Sequence, residues 1–373
     1  MAKGLHPPTH ASHTLFVLHA DISPSVLYVG VYVGEAISGQ IATAFTANNT
    51  PWNTALIAIG IVGIVVALFV RLLVREPRRQ TSLIPSPSTQ TIGTTSEITK
   101  PTLRAKLSTA RTDLKATTTY LLHMRSFWLL TLSASFRQLA GNVFGYYMPT
   151  YLSTLYPGTP TILSRYGIIV GVVGSVSVLL GGLLTSLFWP RTKVLPLYLT
   201  AIGGFVSSLF VLLMLFSRKL GGGSETDGVR ILYGVMSAAY LSAELWLGAV
   251  NSLIALILPP RYKTFGLAIW AATQVLVYSA GPEIVGLAIK DVESGSGEYL
   301  VDTRVALAVI ISVGYWVAGV GFLLAVPLVR RDLDGQFVMG RLSQRRRGAF
   351  SGFAVVLVCV VVVLFVLSIV FRG

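Results

Sequence analysis

Long apolar stretches separated by shorter polar segments dominate the chain. Crossing about 30 Å of hydrocarbon takes roughly 20 mostly apolar residues, because each helical residue advances by about 1.5 Å. About nine stretches reach this length. They are predicted as transmembrane helices at 25–46, 52–74, 127–150, 166–189, 194–216, 231–258, 264–289, 304–329 and 352–371. The pattern therefore predicts an all-α, multi-pass membrane protein.

Polar and proline-containing segments divide the chain into four predicted parts. Residues 1–75 hold two of the predicted helices, and residues 126–331 hold six. Between them, residues 76–125 contain several prolines and a Ser/Thr-rich tract, which is typical of a disordered loop. Residues 332–373 combine a basic segment with one further predicted helix.

Composition and charge support an integral membrane protein and give its predicted orientation. Hydrophobic residues make up 53% of the chain and charged residues only 12%, whereas a soluble domain has about 25% charged residues. If the first helix runs outward from the cytoplasm, 21 of the 29 Lys and Arg residues lie in cytoplasmic segments and 7 lie outside. Cytoplasmic loops are enriched in Lys and Arg. This distribution accounts for the net charge of +14 and argues against a nucleic-acid partner.

The residues that enzymes and metal sites require are missing from the predicted spans. Histidine is the usual general base and a common metal ligand. All of the histidines fall outside the spans: His6, His10, His13, His19 and His123. No aspartate lies inside a span, and the single cysteine, Cys359, lies in an apolar run without a CxxC partner. We therefore predict no enzyme, no cofactor and no metal site.

Several short motifs carry a resemblance to a known family. Residues 73–79 read Leu-Val-Arg-Glu-Pro-Arg-Arg before the long polar loop, and residues 148–151 read Met-Pro-Thr-Tyr. Residues 243–248 read Ala-Glu-Leu-Trp-Leu-Gly, and residues 259–264 read Pro-Pro-Arg-Tyr-Lys-Thr. Residues 281–291 begin Gly-Pro-Glu. In order and spacing, these segments resemble helices six, seven, ten and eleven of Spinster-like carriers, a branch of the major facilitator superfamily.

The resemblance covers roughly residues 25–330 and implies a fold and a function. Such carriers consist of two six-helix bundles that alternate access around a site near the midplane of the bilayer. The branch is associated with lysolipids, sphingoid phosphates and other organic anions. The resemblance therefore implies a small or lipid-like substrate, possible proton coupling and a major-facilitator-type helical bundle in the bilayer.

The chain departs from the family pattern in three ways. If 52–74 corresponds to helix six, then helices one to four are absent, and 352–371 is an addition. Ser186 also stands where the carrier signature between helices eight and nine has an aspartate. Two functions remain open on these grounds. One is secondary active transport. The other is that of a truncated or degenerate relative, without autonomous transport, that acts as a membrane interaction protein.

Glu244 is the strongest candidate site residue in the sequence. Ser237, Tyr240, Glu244, Gly248 and Asn251 recur at spacings that place them on one face of a helix. A polar stripe with apolar flanks is typical of a helix that lines a cavity, and a glutamate there is a candidate proton-coupling group. The alternative role is a structural hydrogen bond between helices. Asn251 is a further candidate on the same stripe.

Other polar residues inside the predicted spans complete the candidate set. Arg137, with Asn142 one to two turns further on, could bind a phosphate or carboxylate through the planar guanidinium fork. The alternative is an ion pair with Glu244 or Glu35 that locks helices together. Glu35 itself is either a coupling site or a member of a structural pair. Gln274 and Tyr278, one turn apart, are candidates for substrate contact.

Small residues on the fourth stretch have a different predicted role. Gly171, Gly174, Ser175, Gly181 and Gly182 are predicted to let neighbouring helices approach closely.

Overall fold

The described part of the chain is helical throughout its regular structure. The computed structural model describes residues 25–41, 44, 51–73, 116–289 and 296–335. Within these ranges the chain forms twelve helices and no strand. They are α1 (25–41), α2 (Trp52–Leu73), α3 (116–123), α4 (Arg125–Leu155), α5 (Ile162–Phe188), α6 (Leu195–Leu215), α7 (Ser217–Leu220), α8 (Glu225–Ala243), α9 (Trp246–Ile257), α10 (Lys263–Tyr278), α11 (Ala280–Ala288) and α12 (Gly297–Leu333).

The described helices fall into two compact units. One unit contains α1 together with α3 to α12, and the other contains α2. Taken by itself, α2 is an apolar helix whose large side chains from Leu56 to Leu73 are exposed or nearly so. A helix that is apolar on all sides suits a lipid surrounding or neighbouring membrane helices.

The structure confirms the all-α membrane fold. Six helical segments of the described residues are long and apolar enough to cross a bilayer: Leu56–Leu73, Ile162–Phe188, Leu195–Leu215, Glu225–Ile257, Lys263–Ala288 and Gly297–Leu333. The 31-residue helix α4 is less apolar, because it carries polar side chains at Arg137, Gln138 and Asn142. The predicted span 352–371 lies outside the described residues.

The helices differ from the predicted spans in three respects. The predicted continuous span 231–258 is divided into α8 and α9, and the predicted span 264–289 is divided into α10 and α11. The last described helix, α12, has 37 residues and extends beyond both ends of the predicted span 304–329. Part of the predicted loop 76–125 is also helical, since it contains α3.

Helix packing in the larger unit centres on α4 and α12. Helix α12 packs against α4 and α6, α8 packs against α5 and α6, and α10 and α11 pack against α4. Two buried apolar clusters fill the interior. One surrounds Met148 and Tyr151, and the other surrounds Phe127 and Phe322.

Local signals in the sequence explain where several helices begin. Ser224 precedes α8, and its hydroxyl accepts a hydrogen bond from the Asp227 amide at 3.4 Å. Glu225 and Asp227 add negative charge to the first turn of α8, where it complements the helix dipole. Pro196 lies in the first turn of α6, where its missing N–H carries no penalty.

Glycines bring α1 and α5 into close contact, as predicted from the small residues of the span 166–189. A Cβ atom at Gly171 would overlap Ala36, and one at Gly174 would overlap the Tyr32 ring. Gly39 of α1 and Gly167 of α5 also face each other directly. Small residues let helix backbones approach each other in a bilayer. The predicted packing role is therefore confirmed at Gly171 and Gly174.

Candidate functional site at two helix breaks

Helix α8 ends and α9 begins at a break formed by Glu244 and Leu245, in the middle of an apolar segment. In a continuous helix, the Leu247 amide would donate to the Ala243 carbonyl. Here it donates instead to the Glu244 carbonyl at 3.5 Å. The Ala243 carbonyl accepts a hydrogen bond from Nη2 of Arg137. In a bilayer, where water is absent, a carbonyl released from a helix needs such a partner.

The Arg137 side chain extends from α4 to this break and is buried beside two aromatic rings. Its side chain is only 2% exposed. The guanidinium carbon lies 4.0 Å from the Tyr315 ring centre and 5.8 Å from the Trp246 ring centre, both within cation–π range. Within the described residues, Nε of Arg137 has no hydrogen-bond partner, and no carboxylate lies within ion-pair distance of the guanidinium. The ion pair with Glu244 or Glu35 is therefore absent from this conformation.

The Glu244 side chain connects the break to α1. Its Oε2 atom accepts a hydrogen bond of 2.5 Å from the Tyr32 hydroxyl, and the carboxyl group is half-buried. From α5, the Ser177 hydroxyl donates to the Leu241 carbonyl at 2.7 Å. A Cβ at Gly181 would overlap the backbone of Leu245, so α5 approaches the break too closely for any larger residue. Side chains and backbone from α1, α4 and α5 thus converge on one interruption of the α8–α9 segment.

The second break separates α10 from α11 at Ser279 and has a local cause. Pro282 has no N–H, so it cannot donate to the Tyr278 carbonyl four residues earlier. Nδ2 of Asn142 donates to that carbonyl at 3.1 Å. The Tyr147 hydroxyl, also from α4, donates to the Pro282 carbonyl at 2.8 Å. Helix α4 therefore supplies hydrogen-bond donors to both breaks.

Asn251 and Gln274 both contact Trp270. Oδ1 of Asn251 accepts from the Trp270 indole nitrogen at 3.0 Å, and its Nδ2 donates to the Leu247 carbonyl at 2.6 Å. Nε2 of Gln274 donates to the Trp270 carbonyl at 3.3 Å. The hydrogen bond between Trp270 and Asn251 connects α10 to α9.

The predicted polar stripe on α8 and α9 faces several helices. The Tyr240 and Tyr166 hydroxyls lie 3.3 Å apart, and Phe144 contacts both rings. Gly248 packs against Ser25 at the start of α1. The stripe is therefore covered by α5 and α1 over Tyr240, Glu244 and Gly248.

The seven predicted site residues form three groups and one separate member. Arg137 and Glu244 both lie at the first break, but their side chains have different partners, the Ala243 carbonyl and the Tyr32 hydroxyl. Asn142 and the backbone of Tyr278 meet at the second break. Asn251 and Gln274 share Trp270, while the Glu35 side chain is exposed on α1, one turn beyond Tyr32.

Three residues with important contacts were not among the predicted site residues. Tyr32 could have been found from its position three residues before Glu35, on the same face of α1. Trp270 precedes Gln274 by one helical turn, which is a similar signal. Ser177 carried no such signal, because serines are common in membrane helices and its partner is a distant backbone carbonyl.

Comparison with known proteins identifies a family. The family model described as Major Facilitator Superfamily matches residues 25–282. This range includes both helix breaks and all seven predicted site residues. No curated protein matches the chain.

Proposed function

Because the chain belongs to the Major Facilitator Superfamily, a family of membrane transporters, we propose that it carries a small organic anion by proton-coupled alternating access. The lipid-like anions associated with the Spinster-like branch are the substrates we favour. The observation that carries the proposal is the Tyr32–Glu244 hydrogen bond at the α8–α9 break, next to the buried Arg137.

In this proposal, Glu244 is the group that takes up and releases the proton. A hydrogen bond to a charged acceptor is worth about 1.5–3 kcal/mol, against about 0.5–1.5 kcal/mol between neutral groups. The Tyr32 hydroxyl therefore holds the carboxylate more tightly than it would hold the carboxylic acid. Protonation weakens the contact between α1 and the break, and it removes the cost of moving a bare charge through apolar surroundings.

Arg137 is the proposed anion-binding group. Its guanidinium has five N–H groups, and within the described residues only Nη2 is hydrogen-bonded. The planar fork can hold a phosphate or carboxylate through two parallel hydrogen bonds. Glu35 is exposed on the same face of α1 as Tyr32, which makes it a second proposed coupling residue.

The test compares two kinds of flux in proteoliposomes that contain the chain. The solute is a labelled lysophospholipid, and exchange is measured beside uptake driven by a proton gradient. Glu244→Gln imitates the neutral acid, so exchange should continue while gradient-driven uptake falls to background. Tyr32→Phe is the matched variant, because it removes the same hydrogen bond but keeps the protonatable group. It should retain gradient-driven uptake.

Two results would count against the coupling role. Intact gradient-driven uptake in Glu244→Gln would place proton coupling at another residue. Equal loss of uptake in both variants would mean that the hydrogen bond matters for packing rather than for protonation.

A second candidate function is that of a membrane interaction protein without transport of its own. The observation that favours it is the exposure of apolar side chains along α2, a surface suited to partner helices. If the folded wild-type chain gives neither exchange nor gradient-driven uptake for any of the anions tested, this second function is the better one.

A further inference from the structure

A cavity of about 300 Å³ opens at one end of the larger unit, away from the two helix breaks. It lies where α4 and α6 end and α12 begins. Its lining is Leu155, Leu215, Phe216, Arg218, Lys219, Gly223, Gly297, Leu300, Val301 and Arg304. The lining therefore combines an apolar floor with three cations and no acidic residue.

The positions of two of the cations are fixed by hydrogen bonds. Nε of Arg304 donates to the Tyr151 hydroxyl at 3.0 Å, and that hydroxyl donates to the Leu215 carbonyl at 3.0 Å. Nη1 of Arg218 donates to the Leu155 carbonyl at 2.9 Å. Neither guanidinium forms another hydrogen bond within the part of the chain that the structure describes, so the remaining N–H groups can donate to a ligand. Nζ of Lys219 lies 5.8 Å from the centre of the Phe216 ring.

The three cations have no acidic partner among the described residues, where the ion pairs formed are Lys193–Asp334 and Arg230–Asp227. Glu225, an acid at the same end of the unit, accepts a hydrogen bond from Thr159. Three like charges around one cavity repel each other, and an anion relieves this repulsion. The predicted topology also makes this grouping unusual, because only 7 Lys and Arg residues lie on the outer side.

An exposed row of apolar residues continues from the cavity along the surface of α12. Val301 lines the cavity, and Val305, Val309 and Val313 follow it at four-residue intervals. Each of the four valines is more than half exposed. A cavity of this size is at the lower limit for ligand pockets, about 300–1,000 Å³. It can hold a headgroup, while an attached acyl chain has an apolar surface to follow.

We propose that this cavity binds the phosphate of an anionic phospholipid, with an acyl chain lying along the valine row of α12. Basic pockets between membrane helices are a known means of recognising anionic headgroups. The shared chemistry is that of a phosphate anion, which free inorganic phosphate would also offer. The valine row favours the lipid, because a free ion makes no use of an apolar surface.

The experiment measures which lipids remain bound to the full chain. The protein is extracted from nanodiscs of mixed phosphatidylglycerol and phosphatidylcholine, and retained lipid is counted by native mass spectrometry. Wild type should retain phosphatidylglycerol preferentially. Lys219→Gln removes one charge without breaking a hydrogen bond, and retention should fall about fivefold, as expected for one cation near a headgroup. Arg230→Gln is the matched control, because Arg230 is basic and near the same end but does not line the cavity.

A second variant tests the site without removing a native contact. Val301→Glu places a carboxylate among the three cations and should abolish the preference for phosphatidylglycerol. An unchanged preference in both Lys219→Gln and Val301→Glu overturns the proposal. So does displacement of phosphatidylglycerol by an excess of inorganic phosphate, which would identify a free-anion site. None of these measurements depends on transport, so they succeed or fail independently of the proposed carrier function.

Discussion

The hydrogen bond from Asn142 to the Tyr278 carbonyl allows a test of whether a side chain of α4 replaces the backbone donor that is missing at the break between α10 and α11. The proline at position 282 leaves that carbonyl without its helical donor, and Asn142 supplies one at 3.1 Å. Asn142→Leu removes the donor at similar volume. Pro282→Ala restores an N–H at the position from which a continuous helix would supply the missing bond.

The expected magnitude follows from what the carbonyl loses. An unsatisfied buried acceptor costs about 1–3 kcal/mol, but side-chain hydrogen bonds between membrane helices average about 0.6 kcal/mol and reach about 1.7 kcal/mol. We therefore expect Asn142→Leu to lower the free energy of unfolding by about 1 kcal/mol in the wild-type background. In the Pro282→Ala background, Asn142→Leu should lower the free energy of unfolding by only about a few tenths of a kcal/mol. The amide restored at position 282 then donates to the Tyr278 carbonyl in place of Asn142.

The assay is equilibrium unfolding in mixed lipid–detergent micelles, followed by tryptophan fluorescence, for the four proteins of this double-mutant cycle. Gln274→Leu is the matched control. Gln274 also donates a side-chain amide to a carbonyl, that of Trp270 at 3.3 Å, but this carbonyl lies inside the continuous helix α10 and has its own helical donor. Its loss should change stability by no more than a few tenths of a kcal/mol.

Two outcomes would refute the reasoning. If Asn142→Leu costs as much in the Pro282→Ala background as in wild type, Asn142 does not act by replacing the missing proline donor. If Gln274→Leu lowers the free energy of unfolding as much as Asn142→Leu, the loss of any side-chain amide hydrogen bond inside the bundle has the same effect. The helix break then makes no contribution to the cost.

Three further predictions concern orientation, anion binding and close packing. Segments 71–125 and 330–347 should be labelled from the same, cytoplasmic side when single cysteines are introduced, because both are strongly basic; labelling from opposite sides would contradict the topology. Arg137→Lys should impair anion transport nearly as much as Arg137→Ala, because lysine keeps the charge but lacks the planar fork; wild-type flux in the lysine variant would rule out that recognition. Gly181→Ala should lower the free energy of unfolding by about 1–3 kcal/mol through overpacking at the α8–α9 break, whereas Gly145→Ala, which has open space around it, should be close to neutral.

The sequence predicted the spans well because their signal is local. Hydropathy alone places the segments that become α5, α6 and α12, since each is continuous in the chain. The break between α10 and α11 also has a local signal, the Gly-Pro pair at 281–282. The break between α8 and α9 has none, because neither proline nor glycine occurs within three residues of Glu244. That break depends on contacts from other helices, which hydropathy does not report.

The sequence identifies which polar residues need a hydrogen-bond partner, but it does not identify the groups that they contact. Depth in an apolar segment correctly marks Arg137, Asn142 and Glu244 as groups that need a partner. It does not show that two of the three partners are backbone carbonyls. Such carbonyls become available only because the helices are broken, so the partner of Arg137 could be inferred only once the break itself was known.

The two roles of Arg137, structural and proposed functional, are connected by competition for the same N–H groups. In the structure, Nη2 of Arg137 satisfies the Ala243 carbonyl, and the Leu247 amide has moved to the Glu244 carbonyl. An anion that binds the guanidinium adds the attraction between opposite charges, and it can accept two parallel hydrogen bonds from the planar fork, whereas the Ala243 carbonyl accepts one from Nη2. If the anion takes Nη2, the Ala243 carbonyl can accept from the Leu247 amide, the donor that a continuous helix would supply. Regaining it would close the break and move Glu244 relative to Tyr32. On the proposed function, substrate binding at Arg137 and protonation at Glu244 would thus act on the same turn of helix, although the two side chains do not touch.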